Sequence, residues 1–407
     1  MYLDENNLKE GGRLLDRLEA LTPDAENVKW LKAELYTKKR SWKKAGAIYG
    51  ELLKGSPGNI DYHSAYAYVL GESRDLEGAK KEYRIILKDP KRKKEYAWPY
   101  KNLLERAGTG VRSNVEYAQG PQSLWWFKNS QGVTTWITNK VRMIFNAFEE
   151  TYRQKKLGDT PSISESPVGH YTRVDWFLDN VTLGIDHRAD YVRNKDYHEF
   201  GVHGDAEFSN LHWAVDYNYN RLIKSPVDAL VKKARYDDLR SAEDVLFFDH
   251  VRLGHNIESQ WIHIPEGENQ VNEGNYLGNN LINNVFAELI VFTDPLISFN
   301  VNYKNAYWAR PFTRANEVVG FFTAEQAWSG GFFYEERLLP NLAARASMTR
   351  NYDYKRDVFS TYSNFSLDWW FFDFAKAGVG FEYMYGDSGL NGSGNTQITK
   401  ADITVYF

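Results

Sequence analysis

The chain has 407 residues, 15% of them aromatic with 13 Trp and 27 Tyr, yet its mean hydropathy of -0.58 is that of a polar protein and its formal charge is -4. No apolar run approaches the roughly 20 residues that a membrane-crossing helix needs, and the absence of cysteine removes disulfides, thiolate metal sites and Cys nucleophiles. Residues 1–106 carry 22 Lys+Arg against 17 Asp+Glu and residues 107–407 carry 28 against 37, a balance that disfavours nucleic acid and suits a neutral or cationic cargo of the second part.

In chain order, residues 1–106 read as helices with internal repetition. Ala33 is matched by Ala67, Ala45 by Ala79, Tyr49 by Tyr83, Leu52 by Ile86 and Leu53 by Leu87, at the tetratricopeptide spacing of about 34 residues. Pro57 and Pro90 close the two units. The small residues let paired helices approach, and the tyrosines fill the space between neighbouring repeats. Lys29 and Lys32 depart from the pattern, standing where bulkier apolar residues are usual. Gly11, Leu15, Leu18 and Pro23 form a partial repeat at the start, so the array opens mid-repeat. With no signal peptide in Met1-Tyr2-Leu3-Asp4-Glu5, the expectation is a chain truncated at its N-terminus, with upstream repeats missing.

After Gly108-Thr109-Gly110 the period changes from helical to two. Phe200, Val202, Gly204, Ala206 and Phe208 alternate with Glu199, Gly201, His203, Asp205 and Glu207; the same pattern runs through 211–218, 297–304, 364–369 and 378–383. Turn residues separate these runs at Ser209-Asn210, Asp294-Pro295, Pro340-Asn341 and the Gly-rich stretch 386–394. Ala401, Ile403, Val405 and Phe407 occupy one face of a last strand, and Lys400, Asp402, Thr404 and Tyr406 the other. Residues 107–407 therefore predict a transmembrane antiparallel β-barrel of about 16 strands, since a barrel must show lipid an apolar face and leave no edge unpaired. Two segments do not read as strands: Ser225-Pro226 opens a helical pattern within 225–240, and 266–280 reads as a long loop. Either is a candidate plug of the lumen.

If the apolar face of each strand meets lipid, the lumen holds Asp175, Asp186, Glu199, Asp205, Glu207, Asp216, Glu258, Glu288, Asp368, Glu382 and Asp402, against the fewer bases Arg173, Arg188, Arg252, Lys304, Arg345, Lys376 and Lys400. Glu199, Asp205 and Glu207 share one face without a base between them and predict a locally negative field. The nine histidines offer no metal-ligand spacing, and no nucleophile elbow, Walker loop or dinucleotide fingerprint is present. No catalytic residue, metal or cofactor is assigned.

Helical repeats at the Ala45/Ala79 and Tyr49/Tyr83 spacing, a barrel region and an aromatic ending at Phe407 together resemble the outer-membrane exporters of bacterial exopolysaccharides, the PelB, PgaA and BcsC type. The resemblance covers the whole chain as architecture. It implies a barrel that conducts a polymer made at the inner membrane, and periplasmic repeats that recruit a polymer-modifying enzyme or scaffold protein. It also implies that Phe407 is a signal to the barrel-assembly machinery. The inward acids favour an amine-bearing polymer, Pel or poly-N-acetylglucosamine, over neutral cellulose. Two other classes stay open: a passive porin or assembly factor whose repeats bind a protein, and an outer-membrane hydrolase.

Overall fold

The computed structural model describes residues 8–22, 25–120, 123–155, 162–178, 180–192, 195–208, 210–222, 235–248, 250–263, 276–308, 325–387 and 393–407. The chain forms two compact units. One comprises residues 1–109 with the 136–140 turn and residues 406–407; the other comprises 110–135 and 141–405.

The first unit contains helices α1 (Leu8–Leu21), α2 (Glu26–Lys38), α3 (Trp42–Gly55), α4 (Ile60–Glu72), α5 (Leu76–Ile86) and α6 (Pro90–Ala107). Local chemistry sets several of their starts. The Asn59 side chain accepts from the Asp61 and Tyr62 amides, Asp75 accepts from Gly78, and Asp89 accepts from Lys91 with Pro90 at the first helical position. Ala33, Ala45, Ala67 and Ala79 are completely buried, as the close approach of paired helices requires. Tyr49 is also fully buried; its hydroxyl donates to Glu34, and the Trp30 ring meets its edge at 5.4 Å. Burial and the Glu34 carboxylate both push the Tyr49 hydroxyl well above the usual phenol range. Tyr83 lies 5.9 Å from the Tyr100 ring, and burial raises it to about 12. Lys32 reaches back from α2 to Glu19 of α1 at 2.5 Å, and that hydrogen bond raises its pKa. A position that breaks the apolar repeat pattern thus carries an interhelical ion pair.

The second unit is a closed antiparallel sheet. Its segments are β1 (Gly110–Gln119), β2 (Leu124–Thr138), β3 (Val141–Gln154), β4 (Ile163–Glu165), β5 (Val168–Phe177), β6 (Val181–Val192), β7 (Lys195–Phe208), β8 (Leu211–Leu222) and β9 (Arg235–Phe247), followed by β10 (Val251–His263), β11 (Tyr276–Thr293), β12 (Leu296–Trp308), β13 (Glu325–Leu339), β14 (Leu342–Asp353), β15 (Val358–Phe372), β16 (Ala375–Asp387) and β17 (Ser393–Tyr406). β4 and β5 both pair with β3 and are two parts of one stave, interrupted where the Pro167 carbonyl accepts from the Glu150 amide. The barrel is therefore 16-stranded, and β1 closes it by pairing with both β2 and β17. The Phe407 amide adds a bond to the Thr109 carbonyl at 2.8 Å, while the Phe407 side chain is exposed.

Exposure follows the period of two. Phe200, Val202, Val285, Phe299, Val301, Trp328, Trp369 and Val379 lie on the outer face, each about half exposed, where lipid covers them. Aromatic residues gather toward both ends of this belt, Tyr191, Tyr219 and Tyr385 at one and Phe247, Phe292 and Phe372 at the other. The connections sort by length. Residues 139–140, 178–180, 209–210, 248–250, 294–295, 340–341 and 373–374 make short turns at one end, where β1 also begins and β17 ends. The other end carries the connections 120–123, 155–162, 193–194, 223–234, 264–275, 309–324, 354–357 and 388–392, most of them longer.

Two sequence expectations need correction. Of the segment 225–240, residues 235–240 are strand β9, pairing with β8 and β10; of 266–280, residues 276–280 open β11, with Asn279 opposite Trp261 and Asn280 opposite Gln260. Pairing to neighbours outweighs the Asn/Gly composition there. The remainder of both segments lies outside the described residues, as does 388–392 of the Gly-rich stretch.

Candidate functional site in the barrel lumen

The register brings inward side chains from distant strands into lateral rows. One row runs Arg142, Asp175, Gly184, His203, Asp216, Arg240, Glu258 across β3 to β10. Asp175 is fully buried and accepts from Arg142 at 2.7 Å, Arg173 at 2.7 Å and His203 at 2.8 Å. Gly184 is required between them, because a Cβ there would lie 1.9 Å from the His203 Nε2. Asp186 lies 3.7 Å from the other His203 nitrogen.

Further along, each base is shared between two carboxylates. Arg188 bridges Glu150 at 3.2 Å and Asp190 at 2.9 Å. Glu199, Arg221, Asp238, Arg240 and Glu258 form a continuous chain with contacts of 3.5, 3.8, 3.0 and 3.0 Å. A second chain links Asp205, His212, Asp244, Arg252 and Glu288 at 2.6, 3.0, 3.6 and 3.2 Å. On the far side Arg345 bridges Glu335 and Asp368, and Lys400 bridges Glu116 and Glu382. Lys376 also approaches Asp368, and Arg112 approaches Asp402, both at 3.7 Å. Both five-membered chains start and end on an acid, so acids outnumber bases even where every acid has a neighbour.

The inward acids named from the sequence fall into these groups with few exceptions. Asp216 stands in register between His203 and Arg240, and Glu207 is exposed near the short-turn end of β7. The sequence reading did not name Glu116, Glu150, Asp190, Asp238 or Asp244. In β9 the outward positions include Asp237, Ser241 and Glu243 beside Leu239 and Val245, so alternation there is faint. Only the register with β8 and β10 reveals Asp238 and Asp244 as inward. At the long-connection end an apolar cluster of Leu124, Tyr152, Val192, Tyr197 and Leu222, with Trp126 against it, packs this wall further.

The helical unit offers a separate concavity of about 700 Å³ lined from α2, α3, α4 and α6, with Trp30, Trp42, Tyr68 and Tyr96 beside Glu34 and Asp61. Tyr68 is about half exposed. Tyr49 and Tyr83 form part of its floor, whereas Ala45 and Ala79 lie in the packed interior.

No family model and no curated protein matches the sequence. Among solved structures, a bacterial polysaccharide outer membrane secretin superposes with a TM-score of 0.53 at 10% identity, over 73% of this chain and 98% of that one. At this identity the likeness is one of fold. A Pseudomonas aeruginosa protein, OccK3 (OpdO), aligns over 74% of this chain and 95% of its own at 9% identity, with a TM-score of 0.40.

Proposed function

We propose that the chain is an outer-membrane conduit for an amine-bearing exopolysaccharide, with the helical unit on the periplasmic side. The observation that carries the charge of the cargo is the sharing of bases: chains of ion pairs that start and end on carboxylates leave a net negative lumen, which concentrates cationic groups. The apolar outer belt supports the membrane, and the short turns at the end where β1 begins support a periplasmic placement of that end. The secretin of similar fold is by name a polysaccharide secretin, which favours a polymer over small solutes as the cargo here. The helices are read as tetratricopeptide repeats whose concave face recruits a polymer-modifying enzyme or scaffold. Phe407 is read by the assembly machinery. The chain conducts its cargo without transforming it.

The test is ion selectivity of the full chain in planar bilayers, followed by secretion in cells. Replacing Glu199, Asp205, Glu207 and Asp216 by Gln or Asn keeps size and hydrogen bonding. Cation preference and its salt dependence should fall, with secretion of an amine-bearing polymer, while passage of small neutral solutes is unchanged. Unaltered selectivity would remove the argument for a cationic cargo. Secretion that proceeds normally without residues 1–106 would remove the role given to the repeats, and equal insertion of a Phe407→Asp chain would reduce that residue to packing.

A further inference from the structure

The lumen has a second wall of different chemistry. On β12 to β15 the inward rows read Asn302, Ser329, Asn351, Ser360 and Asn300, Gly331, Thr349, Tyr362. Their outward neighbours Val301, Trp328 and Phe359 are each about half exposed on the lipid face, which fixes the phase. These two rows carry no ionised side chain; they lie between the Lys304–Glu325 and Asp353–Arg356 pairs toward the long-connection end and the Arg345 group toward the short-turn end. The side chains of Ser329, Thr349, Asn351 and Ser360 make no hydrogen bond among the described residues, whereas most inward acids and bases of β3 to β11 are engaged with one another. In a closed barrel of 16 staves, β13 to β15 stand across the lumen from β5 to β7.

We infer that this neutral wall is the track along which the polymer slides: its amide and hydroxyl groups hydrogen-bond the hydroxyl and acetamido groups of the sugar rings, while amines turn toward the acids of β7 opposite, Glu199 and Asp205, on which both ion-pair chains begin. The inference rests on the export reading and adds to it the surface that touches the cargo. Conduction needs binding firm enough to admit the chain and weak enough to release it. Neutral hydrogen bonds, each of small net strength and one sugar much like the next, meet that condition; an engaged buried ion pair cannot exchange partners as cheaply. Free hydroxyls and amides on a half-exposed wall can donate and accept in any order, so the register of the polymer against the wall does not matter.

The experiment is single-channel block of the full chain by tetramers of glucosamine and of N-acetylglucosamine. In the variant Ser329→Ala/Thr349→Val/Asn351→Leu/Ser360→Ala, dwell times of both tetramers should shorten about tenfold, the effect of losing on the order of one or two net hydrogen bonds. The reversal potential in a salt gradient should be unchanged. The Glu199→Gln/Asp216→Asn variant should show the converse, a shifted reversal potential and selective loss of glucosamine block. If the four-site variant lacks heat-modifiable migration, Thr349→Val/Asn351→Leu carries the test, with a dwell time shortened about threefold. Unchanged dwell times in variants that the tetramers still block would overturn the track. No block of the unmodified chain by either tetramer would overturn the export reading, and the track with it.

Discussion

Between β3 and β11 most inward acids and bases are tied to one another, whereas in the two mid-strand rows of β12 to β15 the side chains of Ser329, Thr349, Asn351 and Ser360 have no partner among the described residues. Both stretches have the same backbone and the same alternation of lipid-facing and lumen-facing positions, so the fold does not require the difference. The tied wall spends its polar groups on holding strands in register and leaves a surplus of negative charge as a field. The free wall contributes little to that field and offers hydrogen-bonding groups to whatever fills the lumen. A charged residue in a wide pore is therefore not by default a contact for cargo, and an uncharged one is not by default inert.

The largest effect that separates the walls is expected at Asp175. Asp175→Asn leaves two arginines and His203 around a neutral group in a fully buried position, and should lower stability by about 3–5 kcal/mol. The midpoint of heat-modifiable gel migration in mild detergent measures it; a midpoint like that of the unmodified chain would mean that the tied wall is not structural. Gly184→Val places carbon where the His203 ring now lies and should cost roughly 1–3 kcal/mol by the same assay. Arg240→Met removes a shared base while Arg221 stays beside Asp238, so the stability loss should be smaller, about 1–2 kcal/mol. Its sharper readout is electrical: cation preference should rise, opposite in sign to the acid replacements. The smallest effect belongs to the free wall, where Thr349→Val should change stability by no more than about 0.5 kcal/mol and leave selectivity alone. A large loss there would show that Thr349 has a structural partner and would erase the contrast.

Much of the fold was legible because lipid imposes a strict rule on one face. Phe200 and Val202, or Ile403 and Val405, must be apolar whatever the lumen does, so β7 and β17 could be read from residues alone. The lumen is under no such rule. Whether Glu199 meets a base depends on Arg221, in the next strand, and on the offset between the two strands, which single-strand periodicity does not encode. Segments with polar residues on both faces, such as β9 with Asp237 beside Asp238, lose even the alternation. The start of β13 is likewise illegible in single-strand periodicity, because its first residues, Glu325-Gln326-Ala327, do not alternate in polarity. In the helical unit the repeat of Ala45 and Ala79 was visible because packing tolerates nothing larger there, whereas the Lys32–Glu19 pair needed the second helix to explain it.

The closure of β1 on β17 sets the order of events in assembly. Every neighbouring pair from β1–β2 to β16–β17 joins strands adjacent in sequence, but the β1–β17 seam joins partners that lie almost the whole barrel apart in sequence. Until that seam forms, any partial sheet carries two raw edges able to template pairing with other chains. Such a non-local last step is slow by its nature. The interval before residues 393–407 pair with β1 is thus when the sheet is most exposed to aggregation, and when shielding of its strands matters most.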